Sequence, residues 1–409
     1  MQRDFDKTVD IAVIGAGIIG IATAYYLSVV NRQRSVLLID YRQAMSYTSA
    51  QSGDNYRNWW PHPTMTAFTN HSIDLMQNLA DEAQNVFRMT QRGYALATRR
   101  DDIGGLVSGL QPGIDVSVIS GRPRVQASFP AFSEDIQHVI HIRRAGDIDG
   151  QQLGDYLLQR FREAGGRRLQ AELTHIHLGS PHALQLAAGQ ERLHINARVF
   201  VNAAGPFVND VAGMLGIELP VKNIYQQKIA FDDRLGAIPR DMPFSIDLDE
   251  KTLDWSDEER DLLAADPALA WLGTKLPSGT HCRPDGGDRA SRIKLGWAYN
   301  REPSQPRREM QEEPAIDPQF PEIVLRGAAP MLPALSAYVE TPPTDIVHYG
   351  GYYTMTAENW PLIGPMGPPD TYVAGAMSGF GSMSACGAGQ LCAAWICGDK
   401  LPDYAKDLS

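Results

Sequence analysis

Residues 9–20 have the sequence VDIAVIGAGIIG, an apolar run interrupted only by Asp10 and followed by a GxGxxG pattern. The short, β-branched run predicts a buried strand, and the glycine pattern predicts a turn into a helix. A second apolar strand is predicted over Val36–Ile39, and Asp40 follows it, twenty residues after the last glycine. This order of strand, glycine turn, helix, strand and acid is typical of a dinucleotide-binding unit.

The glycines and the acid of this unit have separate physical roles. Gly15 permits a tight turn, Gly17 lets a pyrophosphate approach the backbone, and Gly20 allows close packing of the helix on the strand. Amide groups at the start of the helix carry positive potential, and Asp40 can accept hydrogen bonds from ribose hydroxyls. The pattern therefore predicts a dinucleotide site but does not choose between FAD and NAD.

Composition excludes several classes of function. The 409 residues are 43% hydrophobic, which suits two or three domains with real cores. Lys and Arg number 37 against 48 Asp and Glu, and the net charge of −11 disfavours nucleic-acid and membrane-surface binding. The four cysteines form no CxxC, which excludes a disulfide scaffold and a cysteine zinc site and favours a cytoplasmic location. The histidine pairs at 138/141 and 175/177 lack further ligands, so no metal is expected.

The uncharged run Ile11–Val30 has the length of a membrane span. Its glycines divide it into a strand and a helix, so no transmembrane segment is expected.

The C-terminal part contains a second glycine-rich unit. Residues 372–381 have the sequence YVAGAMSGFG, and an Ala- and Cys-rich helix is predicted from there to about Cys397. A strand, a glycine-rich loop and a helix N-terminus again favour an anion. Between the two units, the alternating patterns at Tyr225–Phe231 and Ile293–Ala298 predict antiparallel sheet.

With these regions in place, the sequence resembles the D-amino acid oxidase/glycine oxidase/sarcosine oxidase family of FAD-dependent amine and amino acid oxidoreductases, over nearly its whole length. The resemblance implies an α/β fold with a Rossmann-like FAD-binding domain assembled from residues 1–88, 145–216 and 345–401. It also implies a substrate-binding domain with a large antiparallel or mixed β-sheet, from residues 89–144 and 217–344.

The resemblance assigns FAD binding to five stretches of the chain. These are Gly15, Gly17, Ile18, Ile19 and Gly20; Asp40, Tyr41 and Arg42; Thr48, Ser49, Gly53 and Asp54; Ala203 and Gly205; and Gly375, Ser378, Gly379, Phe380, Gly381 and Ser382. Members with covalent flavin use a cysteine before a Tyr-Thr pair or a histidine in the N-terminal loop. Here Gly350-Gly351 and residues 46–55 contain neither, so the FAD is expected to be non-covalent.

The resemblance also indicates residues for the chemistry. Lys294 resembles a lysine of monomeric sarcosine oxidase that lies beside the flavin and helps dioxygen accept electrons. The lysine that pairs with the substrate carboxylate in that enzyme aligns near Met383, so another group must take that role. An arginine suits a carboxylate because its planar fork binds both oxygens. Arg57 is the first candidate, and Arg283 and Arg326 follow.

Aromatic residues are expected to form the wall of an apolar pocket, although core aromatics would look the same in the sequence. They are Trp59, Trp60, Tyr353 and Trp360.

The function that follows from the resemblance is oxidative deamination of a free amino acid, giving the 2-oxo acid, ammonia and, from dioxygen, hydrogen peroxide. The aromatic loop and the missing sarcosine-type lysine favour an L-amino acid with a bulky side chain. D-amino acid, glycine and secondary-amine substrates stay open, as do a dehydrogenase with another electron acceptor and self-association into a homo-oligomer. A non-catalytic FAD-binding partner subunit is the alternative from another class. Its docking surface would be the acidic stretch 247–261, which otherwise reads as a solvated helix.

Overall fold

The structure is a computed structural model that describes residues 8–108, 110, 114–287, 289–308 and 316–409. The strands, in chain order, are β1 (Thr8–Ile14), β2 (Val36–Asp40), β3 (Asn55–Arg57), β4 (Tyr94–Thr98), β5 (Val116–Ser120), β6 (His138–Ile142), β7 (Ala145–Asp147), β8 (Arg167–Gln170), β9 (Glu172–His177), β10 (His182–Ala188), β11 (Glu191–Asn202), β12 (Lys222–Asp232), β13 (Phe244–Asp247), β14 (His281–Pro284), β15 (Arg292–Gly296), β16 (Val347–Met355), β17 (Leu362–Pro365) and β18 (Thr371–Gly375).

The helices are divided between two large sheets. In chain order they are α1 (Ile18–Tyr25), α2 (Pro63–Glu82), α3 (Gly104–Val107), α4 (Arg122–Ser128), α5 (Gly150–Glu163), α6 (Val208–Gly213), α7 (Asp257–Ala265), α8 (Phe320–Ala328), α9 (Ser336–Glu340) and α10 (Gly381–Cys397). After α1, residues Tyr26–Val30 continue as a π-helix. The predicted helix is therefore present, but its last turns are wider than α-helical.

The first sheet has the order β17-β18-β11-β1-β2-β8, with β9 and β10 extending it beyond β11. Strand β1 lies between β2 and β11 and is parallel to both. Its side chains are apolar on both faces: Ile11 and Val13 pack under α1 and α10, and Ala12 and Ile14 pack in a second core on the other face. Burial on both faces explains why β1 is a continuous apolar run, as parallel strands usually are.

The second sheet has the order β16-β12-β15-β14-β13-β4-β6-β5 and is antiparallel except where β13 pairs with β4. One face packs on α8 through Phe231, Ile293 and Leu295. The other face is directed at the cavity described below. The α/β fold class, with a mixed first sheet and a large mostly antiparallel second sheet, is confirmed.

Three details differ from the sequence-based expectations. The polar sequence of residues 44–60 predicts an irregular loop, but this segment contains the 3-10 turn Thr48–Gln51 and strand β3, which pairs with β7. The sequence that follows predicts a helix over about residues 64–87, and the observed helix α2 ends at Glu82. Strand β16 pairs with β12 in the second sheet, so a boundary of the FAD-binding domain at 345 would assign this strand to the wrong sheet. The domain boundaries otherwise stay predictions.

No helix in the part of the chain that the structure describes is long and apolar enough to cross a membrane.

Candidate active site

A cavity lies where the glycine motif, the C-terminal glycine loop and the second sheet meet, and the empty space within it and at its open mouth is about 1060 Å³. It is lined by most of the residues that the sequence assigned to FAD: Gly15, Gly17, Ile18, Ile19, Asp40, Arg42, Thr48, Ser49, Gly53, Ala203, Gly205, Gly375, Ser378, Gly379, Gly381 and Ser382. Four others, Gly20, Tyr41, Asp54 and Phe380, are not among the lining residues. Five separate stretches of sequence therefore meet around one cavity.

The glycine turn is built so closely that side chains do not fit. Gly15 has φ +108°, and a Cβ there would lie 2.2 Å from the carbonyl oxygen of Ala203. A Cβ on Gly20 would lie 1.8 Å from the carbonyl oxygen of Gly15. The absence of a side chain at Gly20 therefore allows α1 to pack closely against the glycine turn. Gly17 is extended, and Ser49 Oγ lies 3.1 Å from where its Cβ would be. The same Ser49 Oγ accepts a hydrogen bond from the amide of Ile18 at 3.0 Å.

Asp40 closes the turn from the end of β2. Its two carboxylate oxygens accept hydrogen bonds from the amides of Ala16 and Arg42, each at 2.8 Å. The Arg42 guanidinium lies 4.0 Å and 4.1 Å from the ring centres of Tyr41 and Tyr47. This end of the cavity therefore contains a carboxylate together with a guanidinium group that packs on two aromatic rings.

The C-terminal loop reaches the N-terminal loop through a buried hydrogen-bond network. Ser382, in the first turn of α10, donates from Oγ to Asp54 Oδ1 at 3.0 Å and lies 2.8 Å from Ser52 Oγ. Burial raises the pKa of Asp54, against the opposing effects of Lys294 and the two serines. Ser378 and Ala376 have φ of +44° and +57°. This left-handed backbone in non-glycine residues indicates that the loop is held in a specific shape.

The lining residues fit a dinucleotide. Thr48 Oγ1 is buried and has no hydrogen-bond partner within the described part of the chain. The extended glycine turn places backbone amides at the start of α1, and Gly351 contributes no side chain to the wall. Unpaired donors around a long cavity suit a ligand with several acceptor oxygens.

A basic cluster lies beside the cavity on the second sheet. Arg283 is 3% exposed, and its Nη atoms lie 3.0 Å from Asp285 Oδ1, 3.8 Å from Asp147 Oδ1 and 2.8 Å from the carbonyl oxygen of Gly53. Lys294 Nζ lies 3.2 Å from Asp285 Oδ1. Burial lowers the pKa of Lys294, and Arg283 lowers it further, whereas Asp285 acts in the opposite direction.

Arg57 differs from these residues because no acid faces it. Its guanidinium carbon lies 4.0 Å from the ring centre of Trp60 and 5.7 Å from that of Tyr94. Among the described residues it forms no ion pair and no hydrogen bond through its side chain. Burial lowers its pKa, and Tyr94 is the one group that opposes this effect. A half-buried guanidinium without a partner among the described residues is chemically suited to an anion.

Trp60 and Tyr353 lie at the site, and the other two expected aromatic residues lie elsewhere. Tyr353 lines the cavity, and the ring of Trp60 lies 5.2 Å from that of Phe380. Trp59 is buried in a core with Tyr94, and Trp360 packs on His62.

Arg326 is removed from the candidate carboxylate ligands. It pairs with Glu259 at 2.6 Å and Glu322 at 2.9 Å and lies over Trp255, among residues of the second core.

The model of the DAO family, described as FAD dependent oxidoreductase, matches residues 10–395. The chain belongs to this family. It is therefore an FAD-dependent oxidoreductase. No curated protein sequence matches the chain.

Solved structures show how widely this DAO-family fold is shared. Glycine oxidase from Geobacillus kaustophilus superimposes with a TM-score of 0.74 at 16% identity, over 96% of each chain. L-proline dehydrogenase from P. horikoshii gives 0.76 at 18% identity, over 97% of this chain and 95% of the other. L-amino acid deaminase from Proteus vulgaris gives 0.73 at 14% identity, over 100% and 98%. At such identities the similarity establishes the fold and not the substrate.

One residue of this DAO-family site was not singled out by the sequence. Lys228, on β12, lines the cavity, and its ammonium lies 5.3 Å from the ring centre of Tyr353. The pattern of β12 indicates the position of Lys228 only once the core face of this strand is known. Alternation along β12 places Lys228 on the face opposite the core residues Ile229 and Phe231.

Proposed function

We propose that this DAO-family enzyme oxidises a free amino acid to the imino acid, which water converts to the 2-oxo acid and ammonia, while dioxygen is reduced to hydrogen peroxide. The observation that supports this most is the half-buried guanidinium of Arg57, which has no partner among the described residues and lies over Trp60, next to Phe380 of the C-terminal loop. An α-carboxylate would neutralise this charge and form two parallel hydrogen bonds with the guanidinium.

The surroundings of Arg57 suit an amino acid with its amine in the neutral form. Trp60 and Phe380 cover the guanidinium side of the site with apolar rings, and such rings exclude water. Bound FAD supplies a hydride acceptor for the hydrogen on Cα. The residues of this chain hold the carboxylate, orient Cα and keep the site dry, and hydride transfer of this kind needs no strong base.

FAD would be held by the α1 N-terminus, the Asp40 end of β2 and the loop before α10. We propose that it is bound without a covalent link, because Gly350-Gly351 and residues 46–55 contain neither the cysteine nor the histidine that family members with covalent flavin carry there. Lys294 is proposed to stabilise negative charge on dioxygen as it accepts electrons. Its ammonium stays close to Asp285, which balances the charge while no oxygen species is present.

We further propose an L-amino acid with a bulky side chain, supported by the aromatic residues around Arg57 and by the apolar, buried Met383. The four cysteines of the structure are free thiols, which supports a reducing compartment such as the cytoplasm.

The test starts from the purified yellow protein. Acid denaturation should release all flavin as FAD, and flavin left on the precipitated chain would contradict non-covalent binding. Anaerobic mixing with a panel of L- and D-amino acids should bleach the flavin with one enantiomeric series, and the corresponding amino acid amides should bleach it poorly. Peroxide released on admitting air supports an oxidase, whereas its absence would indicate a dehydrogenase. A flavin that no member of the panel bleaches would contradict the proposal and favour a scaffold role.

A further inference from the structure

The strand register of the second sheet brings several basic side chains to one face. Lys228 on β12 is paired with Gly296 on β15, and Gly296 is paired with His281 on β14. Two positions further along the strands, Lys294 is paired with Arg283. Because side chains alternate between the faces of a strand, these groups share a face, and it is the face directed at the cavity.

Lys294 and Arg283 already have an acidic partner on this face. Both lie within ion-pair distance of Asp285 Oδ1, at 3.2 Å and 3.0 Å. Arg283 also has Asp147 at 3.8 Å. Their charges are therefore compensated within the chain.

Lys228 has no such partner. It is 7% exposed, lines the cavity and forms no ion pair or side-chain hydrogen bond with any residue that the structure describes. The face of the Tyr353 ring, 5.3 Å from its ammonium, gives only a weak attraction compared with the desolvation of a full charge. A buried ammonium is stabilised only when a nearby anion offsets the cost of its desolvation, so an anion is expected to bind next to Lys228.

The other anions of the proposed complex already have counterparts. The phosphates of FAD suit the amides at the start of α1, and the α-carboxylate of the substrate suits Arg57. Arg57 lies 5.7 Å from the ring centre of Tyr94, and Lys228 lies 5.3 Å from the ring centre of Tyr353. A substrate with two carboxylates therefore has a separate cation available for each.

We propose that Lys228 binds a second carboxylate, on the side chain of the substrate, so that the enzyme selects dicarboxylic amino acids such as glutamate or aspartate over their neutral analogues. This inference rests on the proposed function and narrows its bulky side chain to an acidic one.

The test compares acids with their amides in the FAD-loaded enzyme. Anaerobic flavin reduction by glutamate should be favoured over reduction by glutamine by about thirtyfold or more in kcat/KM, and aspartate over asparagine likewise. Lys228→Met should bring both ratios to about one, and Lys228→Arg should retain most of the preference. Lys222→Met removes an exposed lysine of the same strand and should leave the ratios unchanged.

A second measurement needs no turnover. Glutarate and its monoamide, glutaramate, are titrated into the oxidised enzyme, and binding is followed by the flavin absorption spectrum. Glutarate should bind more tightly to the parent enzyme, and Lys228→Met should abolish the difference.

Equal treatment of acids and amides by the parent enzyme would overturn the proposal, as would a preference that Lys228→Met retains. A Lys228→Met variant that changes only the flavin reduction potential would assign the lysine to the cofactor and also overturn it. If no amino acid bleaches the flavin, the proposed function fails, and the glutarate titration still decides whether Lys228 binds a second carboxylate.

Discussion

The glycine turn of the first sheet and the basic face of the second sheet meet at the same cavity, but they are built in different ways. The turn is made of backbone: Gly15, Gly17 and Gly20 matter for the side chains they lack. The basic face is made of charged side chains, contributed by β12, β14 and β15. The shape of the glycine turn is determined by local steric limits. The properties of the basic face depend instead on which of its charged side chains have a partner of opposite charge.

This difference predicts how each region fails. A substitution in the turn should act on FAD retention as a whole, because there is no room for the new atoms. A substitution on the basic face should act on one step, such as substrate binding or reoxidation, because each charge has its own anion.

The largest effect is expected for Gly15→Ala. The new Cβ would lie 2.2 Å from a backbone carbonyl oxygen at φ +108°, and neither atom is on a flexible side chain that could move. Left-handed strain together with this overlap should lower the free energy of unfolding by more than about 3 kcal/mol. FAD content after purification, read from the ratio of flavin to protein absorbance, should fall to near zero.

Two further variants separate loss of FAD from loss of fold. Gly17→Ala meets only the movable Ser49 Oγ at 3.1 Å, so it should fold and still retain less FAD. Gly213→Ala, on α6, meets no atom within 4 Å and should keep both. Full FAD occupancy in Gly15→Ala would show that the turn is not specified by sterics.

Arg57→Ala should have the next largest effect. Removing the guanidinium leaves a substrate carboxylate without a partner in a buried site, and such losses cost about 3 to 4 kcal/mol, or a few hundredfold in binding. Steady-state KM should therefore rise strongly while FAD content is unchanged. Arg57→Lys should weaken binding less, since the charge remains and the fork is lost.

Arg326→Ala is the matched control for the loss of an arginine. Its partners are Glu259 and Glu322, so we expect lower stability and an unchanged KM. A normal KM in Arg57→Ala would make Arg283 the next candidate.

The difference between the glycine turn and the basic face also explains which parts of the site could be predicted from the sequence. The place of Gly15, Gly17, Gly20 and Asp40 in one strand–turn–helix–strand unit could be predicted, because these residues are close in the chain as well as in space. Lys228 was missed because its environment depends on Tyr353 and Gly53, which come from distant parts of the chain. No pattern in the sequence indicates whether a particular lysine has an acidic partner.

The acidic stretch 247–261 shows the same limit. Its sequence predicts a helix with a capping box, and α7 has one, formed by Ser256 and Glu259. Asp247, however, is fully buried and binds Lys251 at 2.7 Å and Arg99 at 3.3 Å. The interpretation as a uniformly solvated helix was therefore wrong for Asp247, because tertiary pairing decides which acids are buried.

Lys294→Met is expected to affect one half-reaction. Asp285 keeps Arg283 as a partner at 3.0 Å, so the variant does not leave an acid unpaired. Losing one positioned charge beside dioxygen should slow flavin reoxidation by about a hundredfold, equivalent to about 3 kcal/mol. Stopped-flow measurement should show a much smaller change in flavin reduction by substrate. Equal changes in both half-reactions would mean that Lys294 is not the oxygen site.

The smallest effect concerns His281, which lies partly buried beside Lys228 and Arg283 and donates from Nδ1 to the carbonyl oxygen of Gly279 at 2.9 Å. Burial, together with smaller effects of Lys228 and Arg283, lowers the pKa of His281 to about 4, against the opposing effect of the hydrogen bond to Gly279. The unfolded chain takes up this proton near pH 6.5 and the folded protein does not, so the contribution to stability is intact above pH 6.5 and is lost as the pH falls towards 4.

Allowing for solvent screening of a partly exposed ring, the loss between pH 7 and pH 5 should be about 1 to 2 kcal/mol. Urea unfolding of His281→Gln should show a correspondingly smaller loss over this range, and His175→Gln, at an exposed position of β9, should match the parent protein. Lys228→Met should also reduce the loss, because one of the two cations that oppose protonation is gone. An unchanged pH dependence in His281→Gln would show that the basic face does not hold this imidazole neutral. Solvent would then screen the interaction between the charges of this face and the ring.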